Sequence, residues 1–86
     1  MVRLKIIGMN ERVDWETALI KVETDGVNPV SVKLLDRDYK YIYTFIKKNT
    51  PVKATDVFER FSKMDVESIL YDLREMYLVY FVREME

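Results

Sequence analysis

The 86-residue sequence contains no cysteine and no histidine. The first absence removes disulfides and thiolate metal sites, and the second removes the imidazole that nucleophilic triads and most zinc centres require. Glutamine is missing as well, glycine and proline occur only twice each, and charged residues are many, a usage like that of thermophile proteins. No run approaches the ~18 consecutive apolar residues that a membrane helix needs. Residues 1–7 alternate charge with apolarity, unlike the apolar run of a signal peptide. The expectation is a cytoplasmic protein with no membrane partner. Strong charge of one sign is lacking too: the net charge is -1, which predicts no general attraction to nucleic acid or anionic lipid, so partners must be recognised locally.

What remains is 49% hydrophobic and 34% charged, with no low-complexity tract, repeat or linker, which is the composition of a folded chain. We read residues 1–86 as one domain. A domain of this size buries only somewhat more than roughly 60% of its unfolded surface, so every element must serve one core.

Val2, Leu4 and Ile6 alternate with Arg3 and Lys5, which predicts a half-buried strand ending at Gly8, apolar side inward. Ala18, Ile20, Val22 and Thr24 repeat the pattern before the turn dipeptide Asp25-Gly26. Between them, Met9 to Glu16 is too long for a tight hairpin turn and reads as a structured loop. Val30, Val32 and Leu34 alternate with Ser31 and Lys33 after Asn28-Pro29, which suggests a third short strand at a sheet edge.

From Asp36 the period changes to 3.6. Tyr39, Ile42, Tyr43 and Ile46 share one helix face, Lys47-Lys48 suit a helix C-terminus, and Asn49-Thr50-Pro51 stops the helix. A second helix is expected over 54–61, with Val57, Phe58 and Phe61 on its apolar face. Ser62 with Asp65 three residues on resembles a capping box for a third helix, whose stripe is Val66, Ile69, Leu70, Leu73 and Met76. Leu78 to Val82 is apolar on both faces and reads as an interior strand.

Three such helices, with Thr50-Pro51-Val52 between the first two and an abrupt helix-to-strand junction at Tyr77-Leu78-Val79, resemble a winged helix-turn-helix domain. The stripe Val66-x-x-Ile69-Leu70-x-x-Leu73-x-x-Met76-Tyr77-Leu78-Val79 is similar to that family's third helix and first wing strand. The resemblance covers residues 36–84 and implies an α+β fold: a winged-helix-like core over 36–86, with residues 1–35 as an N-terminal β extension that completes a small antiparallel sheet. Two features depart from the family. Tyr77 stands where a glycine often caps the third helix, so the cap must be made another way. Little sequence follows Val82, so the N-terminal strands are expected to take the place of the second wing strand.

The resemblance implies a role in transcription or another nucleic-acid process, often with the third helix in the major groove of DNA. The residues exposed on that helix would be Asp65, Glu67, Ser68, Tyr71, Asp72, Arg74 and Glu75, and their carboxylates repel a polyanion. Candidate nucleic-acid contacts are therefore the cations around the helix-turn-helix, Lys47, Lys48, Lys53, Arg60 and Lys63, together with Arg74. Residues 36–64 carry seven cations against four carboxylates and residues 65–86 two against six. Such a dipolar surface suits docking on a protein partner or a homodimer.

Aromatic residues supply the candidate protein interface. Tyr41 and Phe45 widen the apolar arc of the first helix to about 200°, more than one core contact needs. Either the N-terminal sheet covers this flank or a partner does. Trp15, the only tryptophan, either closes one edge of the core or is an exposed anchor, and Tyr71 is a further interface candidate. Asp36 with Asp38, or Asp65 with Asp72, read as caps and solvated faces, since no nucleotide motif or other catalytic group accompanies them. The expectation is a non-enzymatic interaction or regulatory module, with direct double-stranded DNA binding as the alternative. No metal, cofactor or small-molecule substrate is expected.

Overall fold

A computed structural model describes residues 3–85. In chain order the elements are β1 (Arg3–Ile6), β2 (Leu19–Val22), α1 (Pro29–Lys33), α2 (Arg37–Asn49), β3 (Val52–Lys53), α3 (Ala54–Arg60), α4 (Val66–Glu75) and β4 (Val79–Met85). The strands form one antiparallel sheet in the order β1-β4-β2-β3. β4 therefore has a neighbour on each side, as its two apolar faces predicted.

Residues paired across an antiparallel ladder share a face. Ile20 pairs with Phe81 and Val52, and Val22 with Val79. This side of the sheet meets the helices: Ile42, Tyr43 and Ile46 of α2, Ala54 and Val57 of α3, and Val66, Ile69, Leu70 and Leu73 of α4 are buried with Ile20, Val79 and Phe81 in one cluster. Each large side chain so buried contributes about 1.5–3 kcal/mol. Ile42, Tyr43 and Ile46 of α2 and Val66, Ile69, Leu70 and Leu73 of α4 are among the residues that the 3.6 periodicity of the sequence picks out.

Four local expectations are corrected. The segment Val30–Leu34 is no strand: Pro29 opens the short helix α1 and the Asn28 side chain accepts the Val30 N–H at 2.9 Å. Asn as cap followed by Pro at the first helical position is a helix-start signal that outweighs five residues of alternation. The cap of α4 is Asp65, which accepts the Ser68 N–H at 3.3 Å, and not Ser62. Met76 caps that helix at its other end and is exposed, so it leaves the core stripe. In β1 the alternation is present but inverted, with Leu4 and Ile6 on the face away from the helices and Ile7 turned into the core. The corresponding expectation for Val2 lies outside the described residues.

The junction after α4 is solved by Tyr77 itself. It adopts the left-handed conformation, φ 58°, and the Tyr77 and Leu78 N–H groups bond the carbonyls of Arg74 and Leu73 at 2.9 and 3.0 Å. These two bonds make a Schellman cap that usually takes glycine. They turn the chain directly from α4 into β4, with Leu73 and Leu78 both buried beneath the turn.

Candidate functional site

The loop between β1 and β2 is ordered by its own backbone: the Asp14 carbonyl accepts the N–H groups of Thr17 and Ala18 at 3.2 and 2.9 Å. This fold of the loop delivers Trp15 to a ring cluster. Its centroid lies 5.3 Å from Phe58, 5.3 Å from Tyr71 and 5.1 Å from Phe81, each edge to face, the arrangement that aligns positive ring edges with negative faces. The indole N–H donates to Glu67 Oε2 at 2.7 Å. Trp15 thus closes the edge of the core, and Tyr71, half-buried against it, belongs to the same cluster. Of the two alternatives for Trp15, the geometry is that of the core edge, and Tyr71, expected as an interface residue, packs in the same cluster.

Arg74 is also internal. It is 8% exposed, and its guanidinium carbon lies 4.9 Å from the Phe81 ring centroid and 5.2 Å from that of Tyr71. Cation–π attraction holds the group there, while Nε and Nη1 have no hydrogen-bond partner among the described residues. Arg74, expected as a nucleic-acid contact, is instead turned inward and does not present its guanidinium on the surface of α4. The helical count put it there because position 74 lies between the stripe and the polar face. What the sequence could not show is that Tyr71, three residues earlier, and Phe81 form a slot around it.

With Arg74 turned inward, the exposed residues of α4 and its cap are Asp65, Glu67, Ser68, Asp72 and Glu75, four carboxylates with no cation among them. A cleft of about 470 Å³ opens beside them, lined by Asp36, Arg37, Asp38, Tyr39, Asp65, Ser68 and Ile69. Here the Tyr39 hydroxyl donates to Asp72, joining α2 to α4. That bond, then desolvation, then the charges of Asp72, Asp36 and Asp65 push the Tyr39 phenol from 10.0 up to about 12. Burial alone raises the neighbouring Tyr43 phenol. Among the described residues no group of three or more acidic side chains is placed to hold a metal ion.

The remaining cations are all exposed: Lys47, Lys48, Lys53, Arg60 and Lys63. Lys47 lines a groove with Val22, Glu23, Thr24, Val27 and Tyr43, whereas Arg60 and Lys63 line another with Phe61, Ser62 and Met64. The aromatic flank of α2 is covered in part by Phe61, the residue that ends α3. Phe45 packs edge to face on Phe61 at 5.5 Å, while Tyr41 stays 53% exposed. Phe61 in turn carries the Arg60 guanidinium at 5.9 Å.

Among the described residues no helix is long and apolar enough to cross a membrane. No protein-family model, curated protein or solved structure matches the chain.

Proposed function

We propose that this chain is a non-enzymatic module of winged-helix type that serves transcription or another nucleic-acid process mainly through protein contacts. The order α2, β3, α3, α4, β4 supports the type, as does the place of β2 between β3 and β4, where a second wing strand would otherwise lie. One observation carries the preference for protein over DNA: the exposed face of α4 has Asp65, Glu67, Asp72 and Glu75 and no cation. Groove reading relies on Arg, Lys, Asn or Gln, and a polyanion is repelled by four carboxylates. The same face complements a basic partner surface.

Direct duplex binding is the second reading, favoured by the exposure of Lys47, Lys48, Lys53, Arg60 and Lys63. If all five neutralise phosphates, log affinity falls against log salt with a slope of about -4.5, or roughly 500-fold between about 50 and 200 mM. Titration of the chain with random duplex distinguishes the readings. The expected result is weak binding even at low salt, strengthened by Asp65→Ala with Glu67→Ala. Submicromolar binding at about 150 mM salt, abolished by reversing Lys47, Lys48 and Lys53, establishes the DNA reading instead.

A further inference from the structure

The outer face of the sheet carries a pattern the core does not use. In β1, Leu4 and Ile6 lie on one side and Arg3 and Lys5 on the other, and alternation of this kind encodes one face to be buried. Yet the apolar side points away from the helices, and Ile6 is 63% exposed. The register places Ile6 beside Val82, Val82 beside Leu19, and Tyr80 beside Lys21. Leu4, Ile6, Tyr80, Val82 and Leu19 therefore form one apolar stripe across three adjacent strands. Val82 at its centre is only 2% exposed although it stands outside the core cluster.

Charges of opposite sign bracket the stripe. At one end Lys21 lies over Tyr80, its Nζ 5.9 Å from the ring centroid. At the other end Glu84 pairs with Leu4.

We propose that this face binds a second copy of the chain, in a two-fold stack of sheet on sheet centred on the row Ile6, Val82 and Leu19, in which the exposed Ile6 and half-buried Leu19 offer the surface. An axis running across the strands through the row Ile6, Val82 and Leu19 lays each of these residues on its own copy. It brings Lys21 of one copy level with Glu84 of the other, about 4.8 Å to the side and across a sheet spacing of about 10 Å, within reach of the two side chains. Leu4 comes to lie beside the other copy's Tyr80. The stripe is thus self-complementary in register and charge, as an isologous interface requires. Lys53, at the far end of the row, meets its counterpart at the rim, where solvent screens the repulsion. Pairing of the two β1 edges is the competing geometry, and it aligns Arg3 and Lys5 with each other; cations on an edge strand oppose such pairing.

Sedimentation equilibrium of the whole chain tests the assignment, which is independent of the functional reading because duplex binding does not enter it. A reversible dimer is expected at about 100 µM, and Ile6→Glu weakens it at least about tenfold, with an unchanged circular dichroism spectrum. Lys21→Glu and Glu84→Lys each weaken association by a few fold, and the two together restore it. A chain still monomeric at about 500 µM overturns the proposal. So does a dimer indifferent to Ile6→Glu, or one dissociated instead by Tyr41→Glu with Phe45→Glu, which assigns the interface to α2. Capture of a different protein on this face, with no self-association, overturns it equally.

Discussion

Trp15 and Glu67 are 52 residues apart in sequence and joined by a hydrogen bond of 2.7 Å from the indole N–H to Oε2. The bond fastens the β1–β2 loop to the first turn of α4, and the indole rings fill the space beneath with Phe58, Tyr71 and Phe81. One side chain therefore ties the N-terminal third of the chain to the helical layer. Removing it opens a cavity and orphans contacts from three rings, so Trp15→Ala should cost about 3–5 kcal/mol. Glu67→Ala should cost only about 1 kcal/mol, since its carboxylate is solvent-exposed. Urea titration of both, with Trp15→Phe as the variant that keeps a ring but lacks the N–H, checks the division. In a double-mutant cycle, Trp15→Phe and Glu67→Ala should couple by about 0.5–1.5 kcal/mol; additive effects would mean that the bond contributes nothing.

The Arg74 slot makes a different prediction. Its guanidinium lies flanked by Tyr71 and Phe81 with two buried nitrogens that have no partner among the described residues, and burying such donors costs about 1–3 kcal/mol. Methionine fits the same slot, gains sulfur–aromatic contacts and carries no charge. Arg74→Met should leave the thermal midpoint unchanged or raise it. Arg74→Lys should lower it, because an ammonium is more strongly hydrated and cannot lie flat between two rings. A Met variant clearly less stable than the Lys variant would show that the cation is held by something stronger than its aromatic neighbours.

Tyr77 is in the left-handed region, φ 58°, and 73% exposed. The conformation costs an L side chain about 1–2 kcal/mol, and at this exposure the ring returns little packing. Glycine relieves that cost but loses more chain entropy on folding, about 0.5–1 kcal/mol. The balance predicts that Tyr77→Gly stabilises by up to about 1 kcal/mol. Tyr77→Val, β-branched and poorly suited to positive φ, should destabilise. Calorimetry of both variants reads the difference directly.

How far the sequence reveals this molecule depends on what each signal encodes. The stripes of α2 and α4 were legible because 3.6 periodicity over ten or more residues has one physical solution, a helix with one face on a core. The interior place of β4 was legible because a strand apolar on both faces has no other home. In β1 the alternation was legible but its direction was not, since a period of two says that the sides differ and not which one the helices cover. For α1, the same alternation in Val30, Val32 and Leu34 competed with the Asn28-Pro29 cap and lost. Arg74 was misread for another reason: its surroundings come from Phe81, beyond the turn at Tyr77, and no window along α4 contains that ring. That Lys47 lines one groove and Arg60 with Lys63 another is likewise a property of packing, invisible in a list of cations.

The bond between Tyr39 and Asp72 predicts a specific dependence on alkaline pH. The phenol is raised from 10.0 to about 12 chiefly because its neutral form donates to the Asp72 carboxylate. The native state thus holds this proton more tightly than the unfolded chain does. Stability from the bond is therefore fully present below pH 10 and is lost as the pH rises through about 12, since in that window the unfolded state has already released the proton. The tyrosine absorbance titration should contain one phenol ionising near 12, with Tyr43 also late because of burial. In Tyr39→Phe the late step near 12 should vanish, and the loss of stability over pH 10–12 should become shallower. In Asp72→Asn the Tyr39 step should move back toward 10.0, because the amide is neutral and the largest cause of the shift is gone. If the step near 12 persists in both variants, it belongs to another tyrosine, and the link between α2 and α4 is weaker than its geometry implies.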